Sequence, residues 1–393
     1  MEKCGILALF ERTFGSSEGV EVFFAPGRVN LIGEHTDYNG GHVLPCALTF
    51  GTYIAAKKRT DGTVRCYSDN FPESGVIPFE LETMENDPRH GWANYPKGVV
   101  KLFRENGLPV DSGFDMVVHG DMPSGAGLSS SASVEMATAI MLSSLFSLGL
   151  EDEAGRVGIA LLCKDVENRF IGVNSGIMDQ FAVALGRAGT ALFLDCATLE
   201  RRYVPLELGE YEIVVMNTNK SRALVESKYN ERRSECDRAL ADLQKSGARI
   251  GSLGGLSPEE FEDMADAVAD PVCRRRARHA VFENARVLSA VSALESGKID
   301  EFGRLLNESH VSLQFDYETT GRELDCLAEL SWQSGECLGA RMTGAGFGGS
   351  ALAIVRSDGV DAFARFVGER YRRYIGYDCS FFRSVAGDGA RPI

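Results

Sequence analysis

Gly120-Asp121-Met122-Pro123-Ser124-Gly125-Ala126-Gly127-Leu128-Ser129-Ser130-Ser131-Ala132-Ser133 is a glycine- and serine-rich stretch between a predicted strand at 114–119 and a segment with apolar residues at helical spacing. It is therefore predicted to end at a helix N-terminus, where unpaired backbone N–H groups and the helix dipole attract anions. Glycines let the backbone approach an anion closely, and serines add hydroxyl donors. The stretch predicts a phosphate site. A serine-capped helix after a flexible turn is the alternative that it leaves open.

Two common nucleotide motifs are excluded by their context. No Gly-Lys-Ser/Thr follows the glycines of 120–133, so the stretch is not a Walker A loop. Residues 344–349 (GAGFGG) satisfy G-x-G-x-x-G, but the segment after them, 350–355, is predicted as a strand instead of the helix that a dinucleotide site requires. These glycines are predicted to form either a structural hairpin or a second wall of the phosphate site.

Length and composition predict two domains. The chain has 393 residues, more than one core usually supports. The pattern changes near residue 190, where short strands are predicted at 191–195, 203–206 and 212–217. We therefore expect domains at 1–190 and 191–393.

Charge and cysteine usage restrict the partners and the compartment. The net charge is −15, which opposes binding to nucleic acid and to anionic membrane surfaces. Ten cysteines occur without a C-x-x-C pair, which predicts free thiols in a reducing cytoplasm. No segment approaches the ~20 apolar residues of a membrane span. The oligomeric state is left open, a monomer included.

A second polar stretch, at 26–41 (PGRVNLIGEHTDYNGG), places Arg28, Glu34, His35 and Asp37 close to apolar residues. Polar groups in such surroundings need partners, either each other or a polar ligand. The carboxylates and the imidazole suit sugar hydroxyls, and the guanidinium suits a phosphate. The alternative is a buried ionic network that joins two strands.

Three further residues are ambiguous on their own. Glu167 lies on a predicted helix at 151–169, where a glutamate is normally solvated. Asp179 begins an apolar segment and is either an N-cap or a functional carboxylate. Tyr229 lies on a predicted charged helix at 221–243, where a tyrosine usually packs or faces solvent.

Three segments together resemble the motifs of the galactokinase family, a member of the GHMP kinase group. They are 26–41, 123–133 (PSGAGLSSSAS) and 341–350 (RMTGAGFGGS), and the resemblance extends to 92–99, 176–181, 217–233, 276–287 and 316–327. It implies an α+β fold of two lobes with mixed and antiparallel sheets and the active site in the cleft between them. Pro96 and Ser350 depart from residues common in the family, away from the proposed chemistry.

The resemblance also implies an activity and a set of site residues. The activity is phosphorylation of galactose at its anomeric hydroxyl, with ATP as co-substrate and Mg²⁺ as cofactor. The implied catalytic residues are Arg28 and Asp179, and the implied metal ligands are Ser131 and Glu167. The implied sugar contacts are Glu34, His35, Thr36, Asp37, Gly176 and Tyr229. The implied nucleotide contacts are Ser68, Gly125, Ala126, Gly127, Leu128, Ser129, Ser130 and Ser131.

Two other functions were weighed against this one. One is a GHMP kinase for another sugar, such as N-acetylgalactosamine. Here Glu34, His35 and Asp37 favour a polyhydroxylated substrate over mevalonate. The other is a galactose-sensing regulator without catalysis. In such a regulator the glycine- and serine-rich stretch at 120–133, hereafter the serine loop, would be disrupted, whereas here it is intact. The central expectation is spatial: residues 28, 34–37, 125–131 and 179 converge on one crevice.

Overall fold

The computed structural model describes residues 3–123, 125–220 and 225–393, and of residues 225 and 226 only the backbone. Its helices are α1 (Lys3–Phe14), α2 (Asn94–Glu105), α3 (Ser130–Leu145), α4 (Glu153–Asp165), α5 (Met178–Leu185), α6 (Val225–Lys245), α7 (Pro258–Met264), α8 (Pro271–Glu295), α9 (Ile299–Ser312), α10 (Arg322–Trp332) and α11 (Val360–Ile375). Its strands are β1 (Glu21–Asn30), β2 (His42–Val43), β3 (Pro45–Lys58), β4 (Thr63–Ser68), β5 (Ile77–Glu80), β6 (Phe114–Gly120), β7 (Thr190–Asp195), β8 (Arg201–Pro205), β9 (Tyr211–Asn217), β10 (Cys337–Thr343), β11 (Ser350–Arg356), β12 (Ser380–Ser384) and β13 (Arg391–Pro392).

The first half of the chain is built on a sheet of strand order β13-β1-β3-β6-β4-β5. Its pairs are antiparallel except β4 with β6, which is parallel. Side chains alternate across the sheet, so Val22 and Val117 pack with α1, whereas Phe23 and Ile54 face the main core on the other side.

Helix α3 is the centre of that core and follows the serine-rich stretch directly. Most of its side chains are buried, because the sheet covers one side and α2, α4 and α5 cover the others. The predicted order of strand, loop and helix is confirmed as β6, the loop and α3. Ser124 of the loop lies outside the described residues.

The strand that carries the second polar stretch is longer than the sequence predicts. The sequence predicts a strand at 20–24, and in the structure this strand, β1, continues to Asn30 through Pro26 and Gly27. Proline and glycine normally interrupt a strand, but a register shift between Pro26 and Arg28 absorbs them as a bulge. The bulge places Arg28 where the strand faces the serine loop.

The sequence also predicts two separate strands at 43–47 and 53–58, and these bounds are likewise wrong. The structure has a short β2 and a continuous β3 that runs through Gly51. A Cβ atom at Gly51 would lie 2.0 Å from the Ala25 carbonyl oxygen, so the glycine marks a close strand contact and no strand end.

The second half of the chain contains a sheet of order β10-β11-β9-β12, with α10 and α11 packed on it. Strands β10 and β11 are antiparallel and are joined by the glycine turn at 344–349, so the strand predicted after these glycines is confirmed. The predicted helix at 221–243 is α6 from Val225 onward, and residues 221–224 lie outside the described part of the chain.

The two halves share a buried apolar layer. Leu31 and Leu44 from the first half pack in one cluster with Val215 and Leu352 from the second. A small sheet of order β2-β7-β8 also pairs the strand after the polar stretch with residues 190–205. Within the described ranges, no helix is both long and apolar enough to span a bilayer.

Candidate active site

Arg28 and Asp179 form the ion pair at the centre of the site. Arg28 Nε and Nη2 each donate to an Asp179 carboxylate oxygen at 2.8 Å, a bidentate pair. Arg28 Nη1 also donates to the Gly127 carbonyl oxygen at 3.0 Å. The arginine is 4% exposed and Asp179 is 29% exposed, so the carboxylate is the open member of the pair. One guanidinium thereby connects the serine loop to the first turn of α5.

The serine loop has the conformation that leaves helix N–H groups free. Ser129 precedes α3 with a left-handed backbone (φ 62°), and its side chain does not cap the helix. Its hydroxyl instead donates to the Asp179 carboxylate. Gly125 and Gly127 also have positive φ angles, which glycine adopts without strain. The loop lines a cavity of about 930 Å³ that also contains Arg28 and Asp179.

The glycine turn at 344–349 forms a second wall behind this loop. A Cβ atom at Gly344 would lie 2.8 Å from the Gly127 carbonyl oxygen. The Ser350 hydroxyl donates to the Ala126 carbonyl oxygen at 2.8 Å, and Ala345 lines the cavity. The sequence left open whether this turn is a hairpin or a wall of the cavity, and in the structure it is both.

The far end of the cavity is aromatic, and the sequence argument from the residues missed it. Phe71 and Trp92 are stacked with ring centroids 6.5 Å apart and planes 12° apart, and Tyr95 lines the same cavity. Phe71 is 43% exposed, unusual for so large an apolar side chain. Ser68 lines the same end and is buried. The signal in the sequence was the segment 92–99, noted only for its resemblance.

Ser131 and Glu167 are brought together beside the cavity. Glu167 lies in a π-helical turn at 166–171 that continues α4, and its carboxylate contacts the hydroxyls of Ser131 and Ser175. Burial raises the pKa of Glu167. Behind it, Glu135 is fully buried, and neither of its carboxylate oxygens has a hydrogen bond of normal geometry within the described residues. Glu135 was not predicted.

Glu34 lies in a buried network next to Arg28 and Asp179. Its carboxylate accepts hydrogen bonds from Gly344 N (2.8 Å), Asn30 Nδ2 (3.1 Å) and Arg341 Nη1 (3.3 Å). Arg341 is completely buried. Its ion pair with Glu34 is therefore a buried ionic network, which was the alternative interpretation of the stretch at 26–41. A carboxylate has about four acceptor sites, so Glu34 retains capacity for a ligand.

His35, Asp37 and Tyr229 meet beside this network. Tyr229 of α6 lies with its ring centroid 5.6 Å from that of His35. Burial lowers the pKa of His35 to about 3, so the imidazole is neutral. Burial, and then repulsion by Asp179, raise the pKa of Asp37 to about 7. The Asp37 and Asp179 carboxylates therefore repel each other in the folded protein.

Gly176 lies against the Asp37 carboxylate, whereas the Thr36 hydroxyl is bonded within its own loop. A Cβ atom at Gly176 would lie 1.7 Å from Asp37 Oδ2, so only glycine fits there. The Thr36 hydroxyl is buried and donates within its own loop, 2.6 Å from the His42 carbonyl oxygen. A contact between Thr36 and a ligand therefore stays a prediction.

Helix α8 holds the polar stretch in place from the second half of the chain, which the sequence did not indicate. His279 Nε2 lies 3.1 Å from the Glu34 carbonyl oxygen, and Gly33 N donates to Glu283 at 3.0 Å. Burial by itself would raise the pKa of Glu283, but Arg286, His279 and Arg341 together lower it to about 2. The helix therefore presents an ionised carboxylate to the loop backbone.

The sequence and the fold correspond to one class of kinase. The chain matches the GHMP kinases N terminal domain over residues 94–187 and the GHMP kinases C terminal model over 290–373. The solved mevalonate kinase of Methanococcus jannaschii, 18% identical, superposes with a TM-score of 0.64 over 93% of this chain and 98% of that one, which concerns the fold alone. The expected α+β GHMP kinase fold is confirmed.

Within that class, the matches extend to one family over the full chain. Residues 8–58 match the galactokinase galactose-binding signature. The galactokinase of Exiguobacterium sibiricum is 51% identical over 385 residues, which are 98% of this chain and 97% of the relative. The crystal structure of Lactococcus lactis galactokinase complexed with galactose superposes with a TM-score of 0.96 at 47% identity over 99% of each chain. The chain belongs to the galactokinase family.

Proposed function

We propose that this protein transfers the γ-phosphoryl group of ATP to the anomeric hydroxyl of D-galactose, which gives galactose 1-phosphate and ADP. The observation that carries the proposal is the Arg28–Asp179 pair, through which the polar stretch at 26–41 is bonded to α5 and to the serine loop. A new bond forms between the sugar oxygen and phosphorus, and the bond from phosphorus to the bridging β–γ oxygen breaks.

Asp179 is the proposed acceptor of the hydroxyl proton, and Arg28 the proposed stabiliser of the transferring group. Asp179 is the exposed partner of the pair, and its position in the first turn of α5 directs it at the cavity. The planar guanidinium suits phosphoryl oxygens, and its positive charge also favours the ionised carboxylate. Phosphoryl transfer needs mainly positioning and charge stabilisation, which such a pair supplies.

The proposed nucleotide site is the cavity of about 930 Å³. The backbone of 125–131 would bind the phosphates at the N-terminus of α3. The stacked Phe71 and Trp92 offer flat apolar faces to a nucleobase, with Ser68 beside them.

Ser131 and Glu167 are the proposed Mg²⁺ ligands, and one hydroxyl and one carboxylate fit an ion that otherwise takes phosphate oxygens and water. When bound, the ion would neutralise phosphate charge. The buried carboxyl of Glu135 behind them has no hydrogen bond of normal geometry within the described chain. A cation bound nearby would therefore stabilise its ionised form.

The proposed sugar site is formed by Glu34, His35, Asp37, Gly176 and Tyr229, on the other side of Asp179 from the serine loop. Their polar atoms suit several hydroxyls at once, and the direct contact between Gly176 and Asp37 fixes one acceptor. Thr36 would contribute through its backbone, because its hydroxyl is engaged within the loop.

The test is a phosphorylation assay over a panel of galactose, N-acetylgalactosamine, glucose and mevalonate, with Asp179→Asn as the variant. We expect preferred turnover of galactose, and in the variant detectable galactose binding with turnover lowered by at least ~100-fold, the usual contribution of general-base catalysis. Preferred turnover of N-acetylgalactosamine would change the substrate. Galactose binding without any ATP turnover would indicate a sensor, and near-normal turnover in the variant would remove Asp179 from its role.

We also propose two lobes, 1–190 and 191–393, and a reducing, cytoplasmic location. All ten cysteines are free thiols, and many are buried as apolar fillers, which supports the location. The division near residue 190 falls at the start of β7.

A further inference from the structure

Arg233 of α6 is a partly buried cation that faces a second cavity, beside the proposed sugar site. This cavity has a volume of about 430 Å³, and Asp37 and Gly176 line it together with Arg233. Arg233 follows Tyr229 by four residues on α6, and residues four apart lie on the same face of a helix. The helix face that carries Tyr229 into the proposed sugar site therefore also carries Arg233.

The guanidinium of Arg233 contacts two segments of the first half of the chain. Its Nη1 donates to the Asn174 carbonyl oxygen at 2.9 Å, in the loop before α5. Its Cζ lies 5.8 Å from the centroid of the Tyr38 ring, within the range of a cation–π contact. The Tyr38 ring also packs against Tyr229, with centroids 5.3 Å apart. One side chain from the second half thus joins the loop before α5 to the polar stretch at 26–41.

The positive charge of Arg233 opposes the acidic groups around Asp37. Burial raises the pKa of Asp37, and Asp179 and Glu34 raise it further. A backbone N–H bond at Tyr38 and the charge of Arg233 lower it. Loss of Arg233 therefore favours the protonated form of Asp37.

The other titratable groups that face Asp37 are uncharged or lie across the second cavity. Burial raises the pKa values of three of them well above their usual range, so they stay neutral: Tyr38, Tyr229 and Cys196. Lys164 of α4 lines the cavity as a second cation. Arg233 differs from Lys164 in that its guanidinium also bonds to the loop that carries Gly176.

We propose that Arg233 is a positioning residue that fixes Asp37 for the sugar, by holding the loop that carries Gly176 beside it and by supplying a positive charge that faces its carboxylate. The proposal rests on the sugar site proposed above, and it adds to that site a residue from the second cavity. The contact and the charge are separable. Lysine keeps the charge without the planar donor fork, and methionine keeps only an apolar stem.

The first test measures the titration of Asp37 without any substrate. Carbon NMR of ¹³C-aspartate-labelled protein, with the Asp37 signal assigned through Asp37→Asn, gives the midpoint. We expect a midpoint near 7 in the natural protein and one higher by about half a pH unit or more in Arg233→Met. Arg233→Lys should keep the natural midpoint. An unchanged midpoint in Arg233→Met overturns the proposal. Because no sugar is present, this result is independent of the proposed activity.

The second test is kinetic and separates the contact from the charge. Near pH 8, we expect Arg233→Met to raise the KM for galactose roughly tenfold, with the KM for ATP within about twofold of the natural value. Arg233→Lys should restore the pH dependence of kcat/KM for galactose but only part of the KM, because the ammonium group lacks the planar fork. An unchanged KM for galactose in Arg233→Met overturns the proposal.

Lys245→Met is the control for removal of a positive charge from the same helix. Lys245 lies at the end of α6, is 77% exposed and pairs with Asp242. We expect this variant to keep the natural midpoint of Asp37 and the natural KM for galactose. Equal effects of Lys245→Met and Arg233→Met on either quantity overturn the proposal.

Discussion

Among single residues, Gly176 and Asp37 are in direct contact in the proposed sugar site. A Cβ atom at position 176 would lie 1.7 Å from Asp37 Oδ2, so Gly176→Ala has to displace the carboxylate. We expect the KM for galactose to rise by at least ~tenfold, because a positioned acceptor is lost, with a smaller change in the KM for ATP. Steady-state kinetics with each substrate varied measures this.

Gly158→Ala is the matched control for that substitution. Gly158 lies inside α4, where an added Cβ atom would meet nothing within 4 Å. This variant should gain about 0.5–1 kcal/mol in the free energy of unfolding with unchanged kinetics, because alanine favours a helix interior. An unchanged KM for galactose in Gly176→Ala would mean that Asp37 does not contact the sugar.

Asp37 itself connects function to stability. Its pKa is raised from 3.8 in the unfolded chain to about 7 in the folded protein, so the folded state binds the proton more tightly. The free energy of unfolding therefore falls as pH rises from 3.8 to about 7, and stays lower above that. Asp37→Asn removes this penalty, and we expect it to be more stable than the natural protein by about 1–2 kcal/mol near pH 8, with no such gain near pH 4.

Urea unfolding at both pH values measures that difference, and galactose titration supplies the functional half of the experiment. Near pH 8, where Asp37 is ionised, we expect Asp37→Asn to bind galactose at least ~tenfold more weakly, because an amide is a weaker acceptor than a carboxylate. A variant that is destabilised near pH 8 would show that the ionised Asp37 carboxylate has stabilising partners within the protein.

At the scale of elements, α8 determines the shape of a loop that belongs to the other half of the chain. Its buried residues His279, Glu283 and Asn284 bond to the backbone of residues 33–42. Glu283 is the charged member of this set, and its pKa is lowered to about 2 although burial opposes ionisation. The stabilisation is therefore present above 4.5, the unfolded value, and is lost as pH falls toward 2.

Glu283→Gln is expected to lower the free energy of unfolding at neutral pH by about 2–4 kcal/mol, because Arg286 and Arg341 lose a buried partner. The deficit should shrink as pH falls from 4.5 toward 2. Chemical denaturation over this pH range measures it. Glu308→Gln on α9 is the control, since Glu308 is exposed and its pair with Arg304 should contribute less than about 1 kcal/mol. Equal losses in the two variants would contradict the role of α8.

At the scale of the whole molecule, the proposed sugar and nucleotide sites draw on both halves of the chain. Arg28, Asp179 and the serine loop come from the first half, and Tyr229, Arg341 and Ala345 from the second. A ligand that bonds to both halves binds the folded protein only, so it stabilises the whole structure.

We therefore expect galactose at about 100 times its dissociation constant to raise the free energy of unfolding by about 2.7 kcal/mol. ATP with Mg²⁺ at the same relative concentration should do the same. Thermal unfolding with and without each ligand measures this. Asp37→Asn is the control: at the same galactose concentration, tenfold weaker binding should reduce the galactose effect to about 1.4 kcal/mol and leave the ATP effect unchanged. A rise with glucose equal to that with galactose would contradict the proposed sugar site.

Much of this architecture was predictable because it depends on local sequence. The strand, loop and helix at 114–145 followed from apolar periodicity and from glycines and serines at a helix start. The strand after 344–349 excluded a dinucleotide site. The predicted bounds of β1 and β3 were wrong. A proline and a glycine normally interrupt a strand, whereas here a bulge accommodates Pro26 and a close strand contact accommodates Gly51.

The sequence by itself determined which functional groups were candidates for the site: Arg28, Asp37, Asp179 and the serine loop. Its motifs also indicated the galactokinase family. Only the tertiary structure decided that Arg28 pairs with Asp179, that α8 holds the polar loop, and that Phe71 and Tyr317 belong near the site. The physical reason is the separation along the sequence of the residues that interact. Helix and strand periodicity acts over a few residues, whereas these contacts join positions up to hundreds of residues apart, and burial strengthens them only after the chain has folded.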